Sequence, residues 1–237
     1  MAATFKILSA LLDYPTAALQ EAAPELAAVL AGEGMLSGAQ VAALAPLIDE
    51  LAQADLMGLQ ERYVALFDRN RTLSLHLFEH VHGESRDRGQ AMVDLRRMYE
   101  QQGLEISATE LPDYLPLFLE FLSVLPATEA LELLQQPGEV IAALAERLRR
   151  NEAPYAPVLH ALAELAGASR DTAVVMDLLR QPEADPDDLE ALDAVWEAEA
   201  VSFGPGAGWQ SGDCAAAGAV ARVPIPPVPA ARSTSNG

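Results

Sequence analysis

Apolar residues recur along this chain at the three- and four-residue spacing of one helical face, from residue 4 to about residue 200. Leu59, Tyr63, Leu66 and Phe67 form one such stripe, and Met92, Leu95, Met98 and Tyr99 form another. Val140, Ile141, Leu144 and Leu148 repeat it, followed by Val158, Leu159, Leu162 and Leu165, and then by Leu189, Leu192, Val195 and Trp196. No stretch alternates with the period of two that a half-buried strand requires. Helix starts are marked independently. Ser37 with Gln40, and Ser107 with Glu110, have capping-box spacing, in which each side chain satisfies an orphan amide at the start of the helix. Asp185-Pro186-Asp187-Asp188 places a cap, a proline and two carboxylates at the positive end of a helix. Gly32, Gly34, Gly83, Gly103, Pro126 and Pro137 punctuate the remainder. The pattern predicts an all-α fold, a single-domain bundle of about ten short helices over residues 1–202, without internal repeats. Residues 203–237 lose the stripe and become rich in Gly, Pro and Ala, which predicts a disordered tail because such a composition buries too little surface to offset its ordering entropy.

Composition supports helices and narrows the function. Apolar residues are 51% of the chain but aromatics only 5%, so Ala and Leu carry the balance, and both lose little entropy in a helix. A formal charge of −20 repels nucleic acid and anionic lipid and attracts cationic partners. Binding of DNA or RNA needs a concentrated basic face, whereas the arginines here lie among acidic neighbours. The one cysteine, Cys214, excludes an internal disulfide and a cysteine-based zinc site. The N-terminal run MAATFKILSALLDYP is cut short by Asp13 before it makes a secretory core, and no apolar run reaches the ~18 residues that span a bilayer. These features predict a cytoplasmic protein with no direct membrane insertion.

Residues 60–125 stand apart from the Ala/Leu background. Three of the four histidines fall here, His76, His80 and His82, with Glu79, Glu84, Arg86, Asp87 and Arg88 nearby. On a continuous helix His76 and His80 share a face and suit a metal, but His82 then points about 200° from His80. HxxxHxH supplies neither a placed base nor an open coordination position. The alternative, a polar junction in which His76, Glu79, His80, His82, Glu84 and Arg86 fix one helix–helix corner, is the stronger reading, so no metal ligand is assigned. A metal-dependent hydrolase built on His76, His80, His82 and Glu79 is the rival. Further on, Leu115, Leu117, Phe118, Leu119, Phe121 and Leu122 are apolar nearly all round, which predicts a central helix with Asp113 and Tyr114 in its first turn.

Taken together, YVALFDRNRTLSLHLFEHVHGESRDRGQAMVDL (63–95), ELPDYLPLFLEFL (110–122) and ALDAVWEAEAVSF (191–203) resemble the delta-subunit, or redox enzyme maturation protein, family of nitrate reductase molybdenum cofactor assembly chaperones. The resemblance covers roughly residues 5–200. It implies an all-helical chaperone with no catalytic residue and no cofactor of its own, absent from the finished enzyme. The implied partner is the catalytic alpha subunit of respiratory nitrate reductase, held through its N-terminal peptide and a further surface until its molybdenum cofactor is inserted and before it docks on the membrane. By the same resemblance the peptide site falls on Tyr63, Leu66 and Phe67, from a Y/W-x-x-L-F element, and on Glu110, Asp113 and Tyr114, from an E-x-x-D-H turn. Tyr114 departs from that pattern, which often has His. An open trough lined by these six residues is the resulting expectation, with aromatic and Leu anchors for an amphipathic helix.

Overall fold

The computed structural model describes residues 3–82, 86–106 and 110–180. They form eleven α-helices, and no strand occurs among them beyond a single isolated bridge between His76 and Tyr114. The fold begins with α1 (Ala3–Leu12), whose Phe5, Leu8, Leu11 and Leu12 are fully buried. Helix α1 lies along α7 (Leu115–Val124), and both are covered by the other helices. Six of the ten residues of α7 are both buried and apolar: Leu115, Pro116, Phe118, Leu119, Phe121 and Leu122. A helix this apolar is driven to the centre, with Glu120 and Val124 left at the surface.

Two antiparallel hairpins flank this pair. The first joins α2 (Ala17–Glu33) to α3 (Gly38–Gln53). Helix α2 ends at Gly34, whose φ of +71° lies in the left-handed region that a side chain disfavours, and its amide donates to the Leu30 carbonyl. Helix α3 opens with the expected capping box: the Gln40 amide donates to Ser37 Oγ at 3.3 Å, and the Ser37 amide donates to the Gln40 side chain at 2.7 Å. The second hairpin joins α9 (Gly138–Arg150) to α10 (Ala156–Leu165). Val140, Ile141, Ala142, Ala143, Leu144, Ala145 and Leu148 of α9 are all buried. Small residues let the two backbones approach closely: a Cβ placed on Gly138 would sit 3.1 Å from that of Ala166.

The remaining elements connect these blocks. Helix α4 (Leu56–Tyr63) runs directly into a π-helical turn, Val64–Asp68, in which the Arg69 amide donates to the Val64 carbonyl five residues back at 3.1 Å. A 3-10 turn, Arg71–Leu73, follows, then the short α5 (Leu77–His82) and the amphipathic α6 (Arg86–Gln101). Helices α8 (Ala127–Gln135) and α11 (Ala173–Arg180) complete the described set. Helix α11 is pinned by Arg147 of α9, a buried cation whose guanidinium donates to the carbonyls of Thr72, at 2.7 Å, and Leu178. No helix among the described residues is long and apolar enough to cross a membrane.

The all-α expectation therefore holds. Asp113 and Tyr114 are displaced from their expected place: they precede α7 rather than forming its first turn, because Pro116 at the second helical position suits a helix start just beyond them. The Ser107 half of the second capping box, the Asp185–Asp188 start, the stripe from Leu189 to Trp196 and the boundary at residue 203 lie outside the described residues.

Candidate functional site

His76, Glu79 and His80 lie in a polar junction whose organiser is Asp113, which was not among the residues expected there. Its side chain is 0% exposed. One carboxylate oxygen lies 3.2 Å from His76 Nδ1, and the other accepts the Phe78 amide at 3.1 Å. The Asp113 carbonyl accepts the Leu77 amide at 3.1 Å, and the Leu115 amide donates to the Leu75 carbonyl at 2.9 Å. Asp113 thus caps α5 from thirty-odd residues away, satisfying amides that a six-residue helix leaves without partners. Tyr99, buried at the end of α6, donates its hydroxyl to the neighbouring Pro112 carbonyl at 2.8 Å. The strand-like run Leu75–His76 and the turn Pro112–Tyr114 are laced together at both main-chain and side-chain level.

The histidines have separate tasks. His76 faces Asp113, and that hydrogen bond raises its pKa against the opposing effect of burial; Glu79 also raises it and Arg88 lowers it. His80 is half-buried, and that desolvation lowers its pKa, while its Nε2 donates to the Ser74 carbonyl at 2.8 Å. Glu79 pairs with Arg88 at 3.4 Å. The side chains of His82 and Arg86, and the whole of Glu84, lie outside the described residues. Among the described residues no three of His, Cys, Asp and Glu are grouped as a metal ion would need.

Next to this junction sits an aromatic cluster. Tyr63 packs on Phe67 with ring centres 4.9 Å apart, and Phe67 packs edge-on to Tyr155 at 5.1 Å. The Tyr63 hydroxyl donates to the Leu12 carbonyl at 2.8 Å and lies 2.8 Å from the Tyr114 hydroxyl, which reaches Asp13 at 3.2 Å. Burial drives the pKa of both phenols up, so they stay neutral. Here the expected trough needs correcting. Tyr63 is 3% exposed and Phe67 4%, so both are core residues, packed against Tyr155 at the start of α10, and Asp113 is buried in the neighbouring junction. The helical stripe that suggested anchors for a partner is satisfied internally. Of the six expected peptide contacts, Glu110 is exposed and Leu66 and Tyr114 are half-buried, so only these three reach solvent.

Open apolar surface lies elsewhere. A cleft of about 550 Å³ runs between α1, α2 and α7, floored by Ile7, Leu26, Val29, Leu104 and Val124 and edged by Lys6, Glu25 and Glu120. A smaller one of about 210 Å³ lies over α5 and α9, where Leu77, Phe78, Val81 and Leu95 face Phe118 and Val140. The larger cleft and the buried Arg147 both escape a reading of the sequence. Ile7, Leu26 and Val124 look like any helical core position, and Arg147 is one arginine in the run ERLRR at the end of a helix.

The helical bundle has the fold of a solved redox enzyme maturation protein. A solved structure of a putative redox enzyme maturation protein from Archaeoglobus fulgidus superimposes with a TM-score of 0.52 over 70% of this chain and 94% of that one, at 22% identity, which establishes the shared fold. The family described as nitrate reductase delta subunit matches residues 13–161. The chain is 46% identical, over 83% of both sequences, to the nitrate reductase molybdenum cofactor assembly chaperone NarJ of Escherichia coli. It is 43% identical to the probable nitrate reductase molybdenum cofactor assembly chaperone NarW of the same organism, over 84% of this chain and 82% of that one. The chain belongs to the nitrate reductase delta subunit family.

Proposed function

We propose that this chain is a cytoplasmic, non-catalytic assembly chaperone for a respiratory nitrate reductase. It binds the N-terminal segment of the catalytic alpha subunit, holds that subunit competent for molybdenum cofactor insertion, and releases it before docking on the membrane anchor. The observation that carries this reading is the family membership, with 46% identity to a molybdenum cofactor assembly chaperone over most of both chains. The charge of −20 supports it by favouring a partner segment that bears Lys or Arg. In this reading Tyr63, Phe67 and Asp113 build the scaffold from within, while Leu66, Glu110 and Tyr114 are the accessible members of the expected contact set. The chain makes and breaks no bond.

The test is co-purification from cells that express the chain with its nitrate reductase. The apo catalytic subunit should come down with it, and cells lacking the chain should accumulate a catalytic subunit without molybdenum. A catalytic subunit that acquires its full molybdenum content in the absence of this chain would overturn the proposal. A metal-dependent hydrolase built on His76, His80 and His82 gains no support, since His76 and His80 each commit a ring nitrogen to the fold.

A further inference from the structure

We infer that the cleft between α1, α2 and α7 is the seat of the client's N-terminal segment, which it takes as an amphipathic helix with an apolar stripe and at least one Lys or Arg beside it. The inference rests on the proposed function and names the surface that performs it. Three observations converge.

The first is apolar surface left uncovered. Val29 is 43% exposed and Val124 42%, on different helices, and both line this one concavity with Ile7, Leu26 and Leu104. Isolated exposed valines need no explanation, but valines that converge on a three-sided cleft mark a binding surface. Its volume of about 550 Å³ lies within the range of roughly 300–1,000 Å³ typical of ligand sites. Side chains spaced on one face of a helix fit such a floor as ridges fit a groove.

The second is charge. Glu25 and Glu120 stand on the edge, and the one cation that lines the cleft, Lys6, is ion-paired to Glu120. Lys6 is also the chain's one lysine. A cationic helix meets two carboxylates here and competes with Lys6 for Glu120, an exchange between exposed ion pairs that costs little. A second copy of this chain, itself at −20, would bring like charge to the edge. The occupant is therefore a cationic partner rather than a dimer mate.

The third is the state of the alternative site. Tyr63, Phe67 and Asp113 are already committed to the interior, so the turn at Glu110–Tyr114 offers only Leu66, Glu110 and Tyr114 at its rim.

The experiment titrates a synthetic peptide copying the N-terminal segment of the catalytic subunit into the full chain by calorimetry. Val29→Asp with Val124→Asp should weaken binding about tenfold or more, because charge enters the apolar floor. Glu25→Gln with Glu120→Gln should flatten its dependence on salt. Val81→Asp, over α5, should leave the affinity unchanged, and Leu66→Asp and Glu110→Lys should lower it less than the Val29/Val124 pair does. All these positions are half-buried or exposed, and an unchanged far-UV spectrum shows that each variant folds. Peptide should also protect Lys6 from acetylation. Wild-type affinity in the Val29/Val124 variant overturns the inference, as does loss of binding confined to Leu66→Asp or Glu110→Lys, which assigns the peptide to the Asp113 junction. A peptide that fails to bind even the unmodified chain overturns the N-terminal-segment reading itself, a separate result.

Discussion

The α9–α10 hairpin and the Asp113 junction hold the same molecule together by opposite means. In the hairpin, Ile141, Leu144, Leu148, Leu159 and Leu162 meet through dispersion and water exclusion alone, and alanines set the spacing between backbones. Such contacts are many, individually weak and non-directional, so the hairpin depends on filled volume and not on any single bond. At the junction a few directional bonds act on a short helix that does not stand alone. Removing Asp113 would leave the Phe78 amide and His76 without their partner, a penalty carried by one residue rather than shared. The difference teaches where each part of the chain is vulnerable: the hairpin to volume, the junction to chemistry.

The comparison breaks most visibly at the seam between the two. Phe67, which touches both Tyr63 and Tyr155, should behave as a core residue, and Phe67→Ala should cost about 3–5 kcal/mol in urea unfolding. A loss below 1 kcal/mol would mean that this ring is not packed as described. Asp113→Asn should follow at about 1–3 kcal/mol, with hydrogen exchange quickening first at the amides of Leu77 and Phe78. Uniform exchange across the fold would argue against a local clasp.

Two smaller effects sharpen the contrast. Ser37→Ala should cost about 1 kcal/mol, since it removes an accepted bond at the start of α3 and no core contact. The histidines should then separate by NMR titration, His76 above and His80 below the ordinary imidazole value. The linkage signs are opposite. His76, raised in the folded state, contributes stability that is complete below its unfolded pKa and is lost as pH climbs through its folded one. His80, lowered, contributes stability that is complete above the unfolded value and is lost as pH falls toward its folded one. The two oppose each other around neutrality, and Asp113→Asn should remove most of the first while keeping the direction of the second.

Much of the bundle was legible because helical periodicity and capping are local. The stripes at 140–148 and 158–165 fall on α9 and α10, and Ser37 caps α3 as its spacing requires. The junction was legible in composition but not in wiring. His76 and His80 share a helical face only if the helix is continuous, yet α5 begins after His76, and the partner that decides this lies at Asp113. The resemblance pointed to Tyr63, Phe67 and Asp113, and all three are buried, Tyr63 against Phe67 and Asp113 against His76. A stripe of Leu and aromatic residues reads alike whether it meets its own chain or another, because periodicity reports a face and not what covers it. The cleft at Val29 and Val124 is the converse: two unremarkable valines, far apart in sequence, brought to one edge by the pairing of α1 with α2 and α7.

The π-helical turn at Val64–Asp68 gives the chain between α4 and the 3-10 turn one residue more than a regular α-helix would use over the same rise. That surplus is a phase setting. Deleting a single residue there would let the helix close in the ordinary α-helical way with the downstream face kept. Loss of one residue from this turn would therefore leave Leu73, Leu75 and Leu77 close to the surfaces they now cover, while the same deletion inside the regular α3 would turn the rest of that helix by about 100° about its axis.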